Sequence, residues 1–144
     1  MKLYITRKLP DSIMARARAM GADCHDSDEV LSDAARAQAL RDYDAIVCTL
    51  GDRFTAAMFS PEIRCKLIAN FGVGFDHIDA QAASAAGVEV TNTPGVLTDA
   101  TADIALTLLL NVARRIHEGE TMLRAGAWTG WRPTQLMGTS PQGK

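Results

Sequence analysis

Short apolar runs alternate with amphipathic stretches along the first two thirds of the chain, and each change of period marks an element. Residues 2–6 (Lys-Leu-Tyr-Ile-Thr) predict a strand. Pro10-Asp11-Ser12 starts a helix that places Ile13, Met14, Ala17 and Met20 on one face and stops at Gly21. Residues 23–25 predict a short strand, and Ser32-Asp33 caps a helix holding Ala35, Ala39 and Leu40. The run Ala45–Thr49 is apolar throughout, as in a strand covered on both faces. A short helix follows through Ala56, Met58 and Phe59 and ends near Pro61. Residues 66–71 form the next strand, 79–86 the next helix with Gly87 as its stop, and 88–91 a fifth strand. Strands alternating with helices imply a parallel sheet with right-handed crossovers. The expected fold is α/β: a flavodoxin-like, doubly wound, parallel five-stranded sheet ending near Pro94.

The rest of the chain breaks this rhythm. Residues 98–115 predict one long helix, with Thr98-Asp99 at its start and Arg114-Arg115 near its close. Between Ala102 and Ala113 it is apolar on nearly every face, so a second domain or a second subunit is expected to cover it. Residues 126–144 contain Gly, Pro and two Trp and read as a linker. The expected division is therefore 1–94, a compact domain, and 95–144, a helix and linker.

Composition changes this picture little and excludes much. The 144 residues are 47% hydrophobic and 22% charged, enough for a packed core. Lys and Arg number 15 against 17 Asp and Glu, a net charge of −2, which argues against nucleic-acid or membrane-surface binding driven by positive charge. Three cysteines without a CxxC, and three histidines without an HExxH, predict reduced thiols and no metal site. The N-terminus lacks the apolar core of a signal peptide, and a cytoplasmic location is expected.

Ligands of open parallel sheets bind beyond the carboxyl ends of the strands. The informative loop there is Gly72-Val73-Gly74-Phe75-Asp76-His77-Ile78-Asp79. Two glycines around one residue let the backbone turn sharply and offer successive N–H groups to an anion, and a carboxylate suits such a pocket. The dinucleotide fingerprint is incomplete because the third glycine is missing. Taken alone, the loop reads as a strand-to-helix turn capped by Asp76 or Asp79. His77 has no second ligand nearby and reads as a hydrogen-bonded structural residue; Arg7-Lys8 reads as a pair of solvated surface cations. Trp128 and Trp131 on an irregular segment suggest an interface or a pocket wall.

Four blocks in order resemble the N-terminal part of a D-isomer-specific 2-hydroxyacid dehydrogenase, of the glyoxylate/hydroxypyruvate reductase branch. They are Lys2-Leu-Tyr-Ile-Thr-Arg-Lys-Leu-Pro10, Asn70-Phe-Gly-Val-Gly-Phe-Asp-His-Ile-Asp79, Thr91-Asn-Thr-Pro-Gly-Val-Leu-Thr-Asp-Ala-Thr-Ala-Asp103 and Gly126-Ala-Trp-Thr-Gly-Trp-Arg-Pro133. The resemblance implies a two-domain enzyme that reduces a small 2-keto acid with NADH or NADPH. It implies that main-chain amides of Val73 and Gly74 hold the substrate carboxylate and that Leu50 and Gly51 line the cleft. It places Thr101 near the nicotinamide and Trp131 in a partner subunit's active site, and it makes residues 98–131 part of a homodimer interface. By the same resemblance the glycine fingerprint and the catalytic Arg, Glu and His are expected after Lys144, in a Rossmann cofactor domain. This chain alone is then expected to bind no cofactor and to be inactive. The competing reading is a non-catalytic flavodoxin-like binding or interaction module. A phosphoacceptor version of it would need acidic residues after the first strand, where the chain has Arg7-Lys8.

Overall fold

A computed structural model describes residues 1–143. The chain divides into two compact units, Met1–Gly95 and the segment from Val96 onward. In the first unit the order is β1 (Leu3–Ile5), α1 (Asp11–Ala19), β2 (Asp23–Cys24), α2 (Asp33–Asp42), β3 (Ala45–Thr49), a 3-10 turn (Ala56–Met58), β4 (Leu67–Phe71), α3 (Ala80–Ala85) and β5 (Glu89–Thr91). All neighbouring strands run parallel, in the order β2-β1-β3-β4-β5. That order is the flavodoxin-like one, with its reversal between β1 and β3.

Side-chain alternation along the strands splits the core into two layers. Ile46, Cys48 and Ile68 point to one face, where they pack with Leu40 of α2 and Ala83 of α3. Ile5 points to the other, against Met14 and Ala17 of α1. The face expected for α1 is narrower than its apolar residues suggested: Ile13 and Met20 are exposed, because the helix touches the sheet only along the line of Met14 and Ala17. Ser32 caps α2 by accepting a hydrogen bond from the Ala35 N–H at 3.2 Å, and Gly21 and Gly87 end their helices at positive φ.

Asp52 ties the carboxyl ends of β1 and β3 together. It is fully buried, and its Oδ2 accepts from Thr6 Oγ1 at 2.6 Å, from the Thr49 N–H at 2.9 Å and from Thr49 Oγ1 at 3.2 Å. Removing the carboxylate strands the Thr49 N–H and hydroxyl and leaves Thr6 Oγ1 with the Val47 carbonyl alone. Asp52→Ala is therefore expected to destabilise the fold by about 2–4 kcal/mol. Urea unfolding measures this, and a loss below about 1 kcal/mol would show that water replaces the carboxylate.

The second unit contains α4 (Thr98–Arg114) and α5 (Ile116–Arg124). The long helix forms over the expected residues and begins at Thr98 as expected; Leu97 is its N-cap, with no side-chain hydrogen bond. No residue of α4 is buried, and Leu106, Leu108, Leu109 and Val112 are all more than half exposed. A second helix, α5, was not expected from the sequence. Arg115, in the left-handed region at φ 54°, ends α4 and begins α5, and its guanidinium bonds to Glu118. From Ala125 to Gly143 there is no helix or strand among the described residues.

Candidate substrate site

Four strand ends meet along one edge of the sheet in the first unit, and the loop after β4 is their centre. Its backbone is held by side-chain amides. Asn70, 2% exposed on β4, donates from Nδ2 to the Gly72 carbonyl at 3.0 Å and to the Gly74 carbonyl at 2.8 Å. Asn92, just past β5, donates to the Val73 carbonyl at 2.9 Å, and the Thr93 N–H donates to the Gly72 carbonyl at 3.1 Å. All three carbonyls of Gly72-Val73-Gly74 are thus engaged within the unit, that of Val73 at its surface. Among the described residues, the N–H groups of Val73 and Gly74 have no such acceptor, and both residues are exposed. Peptide planes whose oxygens are fixed inward present their N–H groups outward, which makes a fixed pair of donors for an anion.

The other side of Asn70 is also occupied. Its Oδ1 meets His77 Nε2 at 3.1 Å and Cys48 Sγ at 3.8 Å. Burial pushes the Cys48 thiol up to about 12, with the Asp52 carboxylate adding to the effect, so the sulfur keeps its proton and donates it to Asn70. Burial lowers the His77 pKa, against the opposing pull of Asp52 and Asp76. His77 is the hydrogen-bonded structural residue that its isolation suggested. The loop closes on Phe54, whose N–H donates to the His77 carbonyl and whose carbonyl accepts from the Asp79 N–H, both at 2.9 Å. Asp79 caps α3 by accepting from the Ala82 N–H at 2.9 Å.

Beyond β3, Leu50 and Gly51 border this loop. Leu50 Cδ2 lies 3.2 Å from the place a Cβ on Gly72 would take, so the absence of a side chain there lets the leucine close over the turn. Leu50 thus touches the turn that carries Val73 and Gly74, and Gly51 follows it in the chain against Arg7. Thr101 and Trp131 belong to the second unit, where Thr101 sits exposed in the first turn of α4 and Trp131 is 80% exposed. Nearby in that unit Trp128, Met122, Leu123 and Leu136 line an apolar pocket of about 370 Å³. Two residues escaped the sequence reading. Asn70 reads as one polar position in a strand, and the only available signal was a carboxamide on a side of β4 that is otherwise buried. Arg7 is half-buried rather than a solvated cation.

Residues 3–136 match the model of the D-isomer specific 2-hydroxyacid dehydrogenase catalytic domain. The chain belongs to this family. Glyoxylate reductase of Thermococcus onnurineus is 37% identical over 148 aligned positions, which take in 99% of this chain and 44% of that enzyme. Glycerate dehydrogenase of Hyphomicrobium methylovorum is 39% identical over 140, with 95% and 43% covered. Among solved structures, the TT0316 protein of Thermus thermophilus superposes with a TM-score of 0.84 at 38% identity, covering 96% of this chain and 45% of that one. The chain thus spans a little under half the length of these relatives.

Members of the 2-hydroxyacid dehydrogenase family depend on NAD or NADP. The turn after β4 does not fit the pyrophosphate of such a cofactor. The helix behind it is six residues long, and the Asp79 carboxylate already accepts from the Ala82 N–H and would repel a phosphate.

Proposed function

We propose that this chain is the substrate-binding domain of an NAD(P)H-dependent reductase of small 2-keto acids, of the glyoxylate and hydroxypyruvate type. The observation that carries the reading is the pair of outward N–H groups at Val73 and Gly74, backed by carbonyls fixed through Asn70 and Asn92. These N–H groups donate to the substrate carboxylate, while Leu50 and Gly51 wall the adjacent cleft. Charge-assisted bonds of this kind contribute about 1.5–3 kcal/mol each. The similarity to a glyoxylate reductase and a glycerate dehydrogenase supports this substrate class. The nicotinamide cofactor supplies the hydride and is held by residues other than those of the loop after β4, with Thr101 on its nicotinamide side.

In this reading the protein is a homodimer built through residues 98–131. The exposed apolar side chains of α4 and the exposed Trp131 support it, and Trp131 reaches the partner subunit's substrate. No helix among the described residues is long and apolar enough to cross a membrane, which accords with a cytoplasmic enzyme, as do three free cysteines. The full-length protein is expected to reduce glyoxylate or hydroxypyruvate, followed as loss of the reduced nicotinamide absorbance, whereas residues 1–144 alone are expected to turn over neither. A full-length protein inert toward every small 2-keto acid would refute the assignment. Turnover by the isolated chain would refute the division of labour.

A further inference from the structure

The carboxyl end of β1 carries a cation that the carboxylate pocket does not use. Arg7 follows Thr6, and its guanidinium rests against Gly51: a Cβ on that glycine would collide with Nη2 and stand 3.1 Å from both Cζ and Nη1. Gly51 has no positive φ that would require glycine, so its missing side chain serves this contact. Nε and Nη2 of Arg7 are shut off from solvent without a hydrogen-bond partner. Among the described residues no carboxylate lies within ion-pair distance of it. A guanidinium that has lost part of its hydration without gaining a counter-charge attracts any acceptor brought beside it.

Strand order fixes how far this cation stands from the amide pair. Gly51 follows β3, which lies between β1 and β4, and Leu50 fills the gap toward Gly72. Neighbouring strands lie about 4.8 Å apart, so a group over Gly51 stands roughly one strand spacing from the turn after β4. That is too far for hydrogen bonds to a carboxylate seated on Val73 and Gly74, which need about 2.9 Å. It suits a group two bonds further along the substrate. A two-carbon keto acid ends before that point, and a three-carbon acid with a hydroxyl on C3 reaches it.

Building on the reductase reading above, we propose that Arg7 recognises the C3 substituent of the substrate. Its Nη1, the one guanidinium nitrogen not shut off from solvent, donates to a C3 hydroxyl and so favours 3-hydroxy-2-keto acids over acids that end in hydrogen or methyl. Leu50 shields this bond from water, and Gly51 keeps the place open for the guanidinium.

The test compares hydroxypyruvate, pyruvate and glyoxylate as substrates of the full-length protein and of its Arg7→Met and Gly51→Ala variants. Arg7→Met is expected to lower the ratio of kcat/KM for hydroxypyruvate to that for glyoxylate by about tenfold or more, the loss of one charge-assisted bond. Gly51→Ala should shift the ratio the same way, because the new methyl meets only the movable end of the arginine. Calorimetric binding of glycerate and glycolate to the cofactor-free protein supplies a second readout, in which the wild-type preference for glycerate should vanish in Arg7→Met. Equal losses on all three acids, or an unchanged ratio in both variants, would overturn the proposal. A wild-type protein that reduces none of the three defeats the reductase reading instead, and the glycerate–glycolate comparison still decides the role of Arg7.

Discussion

Replacing Gly74 by valine in the full-length protein is expected to lower kcat/KM for glyoxylate by about 10- to 100-fold, through KM, while thermal unfolding stays unchanged. The two halves of this expectation have separate causes. A Cβ at position 74 meets nothing within 4 Å, and the glycine is not at positive φ, so a branched side chain neither clashes nor strains the backbone. On the substrate reading proposed above, the space it enters lies in front of the amide pair. There the two methyls displace a bound carboxylate from one or both N–H groups, and each lost charge-assisted bond costs about 1.5–3 kcal/mol. Gly74→Ala should give a smaller loss in the same direction. An unchanged KM for glyoxylate in both variants would remove Val73 and Gly74 from substrate binding.

The second large effect is expected at Asn70, which touches no substrate. Asn70→Leu preserves shape but leaves the Gly74 carbonyl without its donor, the Gly72 carbonyl with the Thr93 N–H alone, and His77 without its acceptor. The protein is expected to lose about 2–3 kcal/mol of stability, the cost of stranding buried polar groups. Activity should fall further, about 100-fold, because the released peptide planes rotate and the two N–H groups cease to point the same way. Asn70→Asp separates the roles: it keeps an acceptor for His77 and loses both donors. If Asn70→Asp retains wild-type KM, the carboxamide is a stabilising group only and the loop holds its own geometry. Urea unfolding and steady-state kinetics on the same samples distinguish these outcomes.

Legibility along the chain followed the range of the interactions. All five strands of the sheet were readable, because periods of two and of about 3.6 residues are local signals. The stops at Gly21 and Gly87 and the cap at Ser32 were readable for the same reason. Helix α5 was not. Its segment Ile116-His-Glu-Gly-Glu-Thr-Met-Leu-Arg is mostly polar, contains a glycine, and follows a residue in the left-handed conformation. The i,i+4 pair Glu120–Arg124 was the available sign of it.

The site divides in the same way. The GxG turn announced itself, since paired glycines directly after an apolar run mark a sharp bend of the main chain. Asn70 did not, because an asparagine in a strand acquires meaning only when the carbonyls it faces are known. Arg7 read as a solvated cation because its only neighbour in sequence with a charge is Lys8, while its neighbour in space is Gly51, 44 positions on (51 − 7 = 44).

The order of residues was enough to set the alternation of strands and helices, hence the α/β class and the edge of the sheet where a ligand would sit. It was also enough to mark a long helix rich in apolar residues from Thr98 onward. Which strand ends stand side by side emerged only in the folded molecule. Strand order puts β3 between β1 and β4, and that single fact brings Arg7, Gly51 and Gly72 into one row. Periodicity is a property of a few consecutive residues, whereas adjacency across a parallel sheet depends on every crossover between them.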